Sequence, residues 1–110
     1  MKLIKSVIRP NKVDDVRDAL EKLNVPGMTV TEVRGHGLQK GHTAIYRGKE
    51  YSVNLLPKVE IEVVVPDGLV DSVVEGITKA ARTGEIGDGR VFVMPIESGY
   101  HIRTGENDVM

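Results

Sequence analysis

The order of elements is the tightest constraint this chain places on its fold: strand, helix, strand, loop, strand, helix, strand. Lys2–Arg9 is rich in Leu, Ile and Val and is ended by Pro10-Asn11. Val13, Val16, Ala19, Leu20 and Leu23 then share one helical face. Asn11 has the chemistry of an N-cap, and Asn24 with Pro26-Gly27 stops the helix. Met28–Arg34 is β-branched enough for a second strand. Val59, Ile61, Val63 and Val65 alternate with Glu60 and Glu62, the clearest strand pattern in the chain. Asp67 is the expected cap of a second helix striped by Val70, Val73, Val74, Ile77 and Ala81, with Gly84 as its C′ glycine. Arg90–Ile96 is the fourth strand, followed by a polar tail over about 97–110. Pro66-Asp67-Gly68-Leu69-Val70-Asp71 weakly echoes Pro10-Asn11-Lys12-Val13-Asp14-Asp15. Two such βαβ halves imply an α+β, ferredoxin-like fold, with both helices on one face of an antiparallel sheet. The other face then needs a cover, which symmetric self-association supplies.

Composition narrows the function classes. A chain of 110 residues makes a single domain, 1–110. Its core is aliphatic, because Phe92 is the only phenylalanine and tryptophan is absent. The net charge of -1 provides no cationic field for nucleic acid, and one Phe is no base-stacking platform for an RNA-binding module. Without cysteine there is no disulfide, thiol nucleophile or thiolate metal site. His36, His42 and His101 lack metal-ligand spacing, and no serine has a nucleophile-elbow context. No window approaches a membrane span or a signal peptide, so a soluble cytoplasmic protein is the default.

Gly35–Pro57 lacks a sustained period of 2 or 3.6 and is longer than the roughly 12–15 residues beyond which loops are uncommon in compact domains. Such loops are usually functional or disordered. An arm bearing Arg47, Lys49, Glu50 and Tyr51 suits partner docking or covalent modification. Two glycine clusters could present backbone amides to an anion: Gly35-His36-Gly37-Leu38-Gln39-Lys40-Gly41 and Thr83-Gly84-Glu85-Ile86-Gly87-Asp88-Gly89-Arg90. The second lacks a P-loop ending and precedes a strand, and a helix stop with a tight turn is the commoner use of such glycines. Lys58 at a strand end is either solvated or a point-charge partner for a carboxylate.

Three stretches, in order, resemble the PII family of nitrogen-regulatory signal-transduction proteins: Gly27–Val33 leading into Gly35, Gly37 and Gln39–Thr43; Tyr46–Tyr51; and Thr83–Val93. The resemblance runs from Met1 to about Asp108. It implies a homotrimer that binds ATP or ADP between subunits and controls partners through a loop at about 37–55. It would place nucleotide against Thr29, Gly37, Leu38, Gln39, Val64, Gly87, Asp88, Gly89, Arg90, His101, Ile102 and Arg103. 2-Oxoglutarate would bind beside Mg-ATP at Gln39, Lys40, Gly41, Lys58 and Gly87, with Gln39 on the Mg2+. Tyr51 would be the target of a nucleotidyltransferase. Arg47, Lys49, Glu50 and Tyr51 would dock on an ammonium transporter, which would recruit the protein to a membrane, or on nitrogen-regulatory enzymes or kinases. Arg90 stands where lysine is commonest in the family, and His101 where most relatives have a second arginine. The competing readings are a nucleotide-binding trimer with weak ATPase activity and a purely structural or metal-binding trimer.

Overall fold

The structure is a computed structural model that describes residues 1–25, 27–35, 43–46, 49–52 and 56–108, with backbone only for 43–46 and 49–52. The main sheet is built from β1 (Lys2–Ile8), β2 (Thr29–Gly35), β5 (Leu56–Val65) and β6 (Gly89–Pro95), in the order β2-β5-β1-β6 with every pair antiparallel. Helices α1 (Val13–Lys22) and α2 (Val70–Ala81) each follow an inner strand. This is the ferredoxin-like arrangement expected from the element order.

Alternation decides which face the helices cover. Ile4, Ser6 and Ile8 of β1 and Val59, Ile61, Val63 and Val65 of β5 are buried. The aliphatic ones form one core cluster with Val16 and Leu20 of α1 and Val73, Ile77 and Ala81 of α2. Each Val, Leu or Ile among them contributes roughly 1.5–3 kcal/mol on full burial. The intervening residues Leu3, Lys5, Val7, Glu60, Glu62, Val64, Phe92 and Met94 occupy the opposite, helix-free face by register. Val64 and Phe92 are exposed there, so this face is the one that self-association would cover.

Helix ends differ from expectation in three places. Neither Asn11 nor Asp67 caps a helix through its side chain. Instead, a 3-10 turn precedes each helix, at Pro10–Lys12 and Asp67–Leu69, closed by Lys12 N–H to Arg9 C=O and Leu69 N–H to Pro66 C=O, both 3.0 Å. A tight i→i+3 turn satisfies a donor that a cap would otherwise take. Asp67 accepts from the N-terminal ammonium at 2.6 Å. Gly84 is not the C′ residue either: the α2 C-cap is Arg82, in an extended conformation. The stop after α1 is as expected. Asn24 adopts a φ of 57°, and Asn24 N–H to Glu21 C=O with Val25 N–H to Leu20 C=O makes a Schellman cap packed by Leu20 and Val25.

The stretch without periodicity between β2 and β5 contains a further ladder, β3 (Thr43–Tyr46) with β4 (Lys49–Ser52), in which Ala44 faces Tyr51 and Ile45 faces Glu50. Four-residue strands are too short to leave a period in a longer window. The polar tail is also ordered. Asp108 N–H bonds Gly99 C=O at 2.7 Å, Tyr100 bridges Asn107, and His101 N–H bonds Glu106 C=O at 2.9 Å.

Gly89 joins β6 to β1 under a demand that no other residue meets. Its φ is 106°, and an added Cβ would lie 1.7 Å from Val7 C=O. Gly89→Ala should lower stability by at least about 3 kcal/mol through left-handed strain plus displacement of β1. Gly68→Ala, where nothing lies within 4 Å, should change it by no more than about 0.5 kcal/mol. Denaturant melts of the two variants beside the parent check this.

Candidate functional site

The site is built from the loop between α2 and β6. Gly84, Gly87 and Gly89 all have positive φ, at 90°, 102° and 106°. A loop that turns this often exposes its main chain, and it holds one shape only if something ties it. Asp88 does so. Its Oδ2 accepts from Thr83 N–H and Gly84 N–H, each at 2.9 Å. Its Oδ1 accepts from the Thr83 hydroxyl and from Arg9 Nε, the latter at 3.1 Å. Glu85 N–H donates to Thr83 Oγ1 at 3.2 Å, closing the turn from within. Burial pushes the Asp88 carboxyl up, but the hydrogen bonds from Thr83, Gly84 and Arg9 outweigh it. They hold the group well below the usual carboxylate range.

Lys58 meets this loop from β5. Its Nζ donates to Gly87 C=O at 2.5 Å. Its stem passes over the end of β2, where a Cβ on Gly35 would come within 3.1 Å of Lys58 Cγ. Burial and then the neighbouring Arg9 charge hold the Lys58 ammonium below the usual lysine range, and Asp88 partly offsets them. Beside it opens a cleft of about 400 Å³ lined by Pro10, Glu32, Val33, Arg34, Pro57, Lys58 and Val59. Arg90 follows at the start of β6, where no ion pair among the described residues holds it. Arg9 and Lys58 thus set two cations beside the carboxylate of Asp88, Arg90 follows it in the chain, and Glu32 and Arg34 line the adjoining cleft. That balance suits an anionic ligand.

The corner therefore gathers Lys58, Gly87, Asp88, Gly89 and Arg90 as the sequence reading expects. Gly35 also brings the chain that leads to residues 37–41 here. Gly37, Leu38, Gln39, Lys40, Gly41 and Arg47 lie outside the described residues, as do the side chains of Lys49, Glu50 and Tyr51. The remaining expected contacts sit elsewhere in the subunit. Thr29 pairs with Glu62, and Val64 with Leu3, toward the opposite end of the sheet from Lys58. His101, Ile102 and Arg103 follow the far end of β6, which is ~20 Å from its start at the usual strand rise. His101 Nε2 is 3.8 Å from Asp108 Oδ1, and Ile102 is fully exposed. The candidate residues thus form two groups at opposite ends of one sheet.

Arg9 was missed by the sequence reading, and Thr83, though it opens the glycine motif, was given no role of its own. Arg9 also donates from Nη2 to Ile86 C=O at 3.0 Å. The only sequence signal for it is an arginine between a strand and a proline, which also describes many solvated strand ends. Among the described residues no cluster of three or more His, Cys, Asp or Glu could hold a metal ion. No helix among the described residues is long and apolar enough to cross a membrane.

A family model described as nitrogen regulatory protein P-II matches residues 1–106. The chain is similar to nitrogen regulatory protein P-II of Haemophilus influenzae, with 56% identity over 108 residues that cover 98% of this chain and 96% of that protein. Nitrogen regulatory protein P-II 1 of Escherichia coli K12 shows the same identity and coverage. The P-II protein of Rhizobium etli is 54% identical over the same span.

Asp88 gives the site a pH signature. Its folded value lies below its unfolded value near 3.9, so the unfolded chain binds the proton first as pH falls and stability rises with pH through that window. Asp88→Asn should lower stability at pH 7 by about 2 kcal/mol through weakened charge-assisted bonds. The gap between the parent and Asp88→Asn should stay constant from pH 7 to about 5, then narrow below it. Thermal melts across that range check the sign.

Proposed function

Because the chain belongs to the nitrogen regulatory protein P-II family, we propose that it reports nitrogen, carbon and energy status by binding ATP or ADP and, with Mg-ATP, 2-oxoglutarate. It is a signal-transduction regulator and not an enzyme, as its family is. The observation that carries the ligand reading is the corner around Asp88. A glycine turn in a single tied shape stands beside Lys58, with cations in excess.

Phosphates would lie along Gly87, Asp88, Gly89 and Arg90, with Gly37, Leu38 and Gln39 closing over them. The Gly87–Arg90 turn and Lys58 fit such a group by charge and by the open backbone at two positive-φ glycines, Gly87 and Gly89. Gln39 would hold the Mg2+, which supplies charge neutralisation between phosphate and dicarboxylate. Lys58 would face a 2-oxoglutarate carboxylate, joined by Lys40, Gly41 and Gly87. Thr29 and Val64 would receive the adenine, and His101, Ile102 and Arg103 would complete the nucleotide site.

The separation of the two groups within one subunit favours a cleft shared between copies. One copy would offer its Asp88 corner and another its Thr29, Val64 and C-terminal residues. A homotrimer would also cover the helix-free face on which Val64 and Phe92 are exposed. Signalling would pass through the arm at about 37–55, whose base Gly35 touches Lys58. Ligand must bind one arm state better than the other, and reversing their populations takes about 5.5 kcal/mol of differential binding. Arg47, Lys49, Glu50 and Tyr51 would dock on an ammonium transporter or on nitrogen-regulatory enzymes or kinases. Tyr51 would be open to a nucleotidyltransferase. The protein would work in the cytoplasm and reach the membrane through the transporter.

Calorimetry with Mg-ATP, with and without 2-oxoglutarate, tests this directly. 2-Oxoglutarate should bind only when Mg-ATP is present. Lys58→Met should abolish 2-oxoglutarate binding while leaving Mg-ATP affinity within about threefold, because a single point-charge contact to the dicarboxylate is removed. Absence of nucleotide binding in the parent would overturn the reading. For the arm, Tyr51→Phe should keep ligand binding and lose all tyrosine nucleotidylation on incubation with a nucleotidyltransferase, read by mass spectrometry.

A further inference from the structure

The geometry points to Arg9 as the positioning residue of the phosphate turn: it holds Ile86–Asp88 in the ligand-ready shape without itself touching the nucleotide. This inference rests on the nucleotide reading above and extends it to a residue at the end of β1, outside the glycine motif and β5.

Arg9 directly follows β1 and precedes the 3-10 turn at Pro10–Lys12, whose first bond its own carbonyl accepts. Its backbone is therefore anchored on both sides. From this anchor one guanidinium makes two bonds of different kinds. Nε–H meets Asp88 Oδ1 at 3.1 Å, and Nη2–H meets Ile86 C=O at 3.0 Å. They bracket Gly87, the residue whose carbonyl receives Lys58 and whose φ is 102°. A planar fork that grips the residues before and after a left-handed glycine sets the orientation of its peptide planes. The Arg9 and Asp88 side chains are only 19% and 24% exposed, so water is a poor substitute for either partner.

The turn needs this external hold. Asp88 ties its own loop to Thr83 and Gly84, both on the α2 side. The ladder pair Gly89–Ile8 ties only the end of the turn to β1. Among the described residues Arg9 is the side chain that ties Ile86 and Asp88 there, and without it Lys58 would be the single side-chain link from Gly87 to the sheet. Lys58 is also the cation that an arriving carboxylate would recruit. When Lys58 turns to ligand, Arg9 keeps Gly87 and Asp88 in place. The two cations thus divide the work: Lys58 exchanges partners and Arg9 does not.

The test uses Arg9→Ala and Arg9→Lys in the full chain. In ligand-free protein, the Asp88 carboxyl titration and the Thr83 and Gly84 amide shifts are followed by NMR. Mg-ATP affinity is measured by calorimetry. Arg9→Ala should raise the Asp88 titration toward the usual carboxylate range, move both amides, and weaken Mg-ATP about ten- to a hundredfold, the equivalent of losing charge-assisted hydrogen bonds. Arg9→Lys, which keeps the charge but not the fork, should recover only part of the affinity. Tens of millimolar methylguanidinium should restore binding to Arg9→Ala, which a general packing defect would not allow. Unchanged Mg-ATP affinity in Arg9→Ala would overturn the inference, as would full recovery in Arg9→Lys. If the parent binds no Mg-ATP, the nucleotide reading fails by itself. The Asp88 titration and the two amides then decide whether Arg9 shapes the turn, and no change in them overturns that too.

Discussion

One carboxylate organises the end of this molecule where its candidate chemistry lies. Asp88 takes hydrogen bonds from Thr83 and Gly84 behind it and from Arg9 across the sheet. A segment with three left-handed glycines has little conformational preference of its own. It becomes a single shape because an ionised acceptor satisfies four donors at once. Neutral acceptors would do this less well, since charge-assisted bonds are about twice as strong. The low titration of Asp88 and the shape of the turn are two expressions of the same set of bonds.

That corner depends in turn on the sheet. β1 and β6 meet at Ile8 and Gly89, so closely that Gly89 has no room for a side chain. This contact sets the height at which the turn leaves the sheet and brings it within reach of Arg9. β5, the other neighbour of β1, delivers Lys58 to the same level. Four separate stretches of chain thus converge because β1 is central and its neighbours run antiparallel to it. The same arrangement sends the C-terminal tail to the other end. Under the proposed function, a site that needs both ends would be one between subunits.

Much of this was legible in advance, and the reasons differ by element. β5 was readable because a period of two over Val59–Val65 has one physical meaning, a strand buried on one side. Both helices were readable from their apolar stripes, and Asn24 from its tolerance of a left-handed φ. The helix starts were not. Asn11 and Asp67 have capping chemistry, but prolines at 10 and 66 favoured 3-10 turns that satisfied the same donors from the main chain. The β3–β4 ladder was missed because its strands are shorter than the window in which a period can be seen. Of the corner, Gly87, Asp88, Gly89, Arg90 and Lys58 carried a motif or a suggestive position. Arg9 carried neither, and Thr83 opened the motif without a signal of its own part in it, because the importance of both lies in what they reach.

The amino-acid sequence alone determined the order of elements, the face each helix buries, the absence of thiol chemistry and the family resemblance. These are local or cumulative properties, written in periods of 2 and 3.6 and in runs of motif residues. Tertiary structure alone decided that Arg9, 79 positions from Asp88 in the chain, would donate a charge-assisted hydrogen bond to it. It also decided that Lys58 would rest on Gly87, and that the two expected halves of a nucleotide site would stand at opposite ends of one sheet. No local pattern encodes these pairings. They follow from strand order and register, which are fixed when the whole sheet closes over its core.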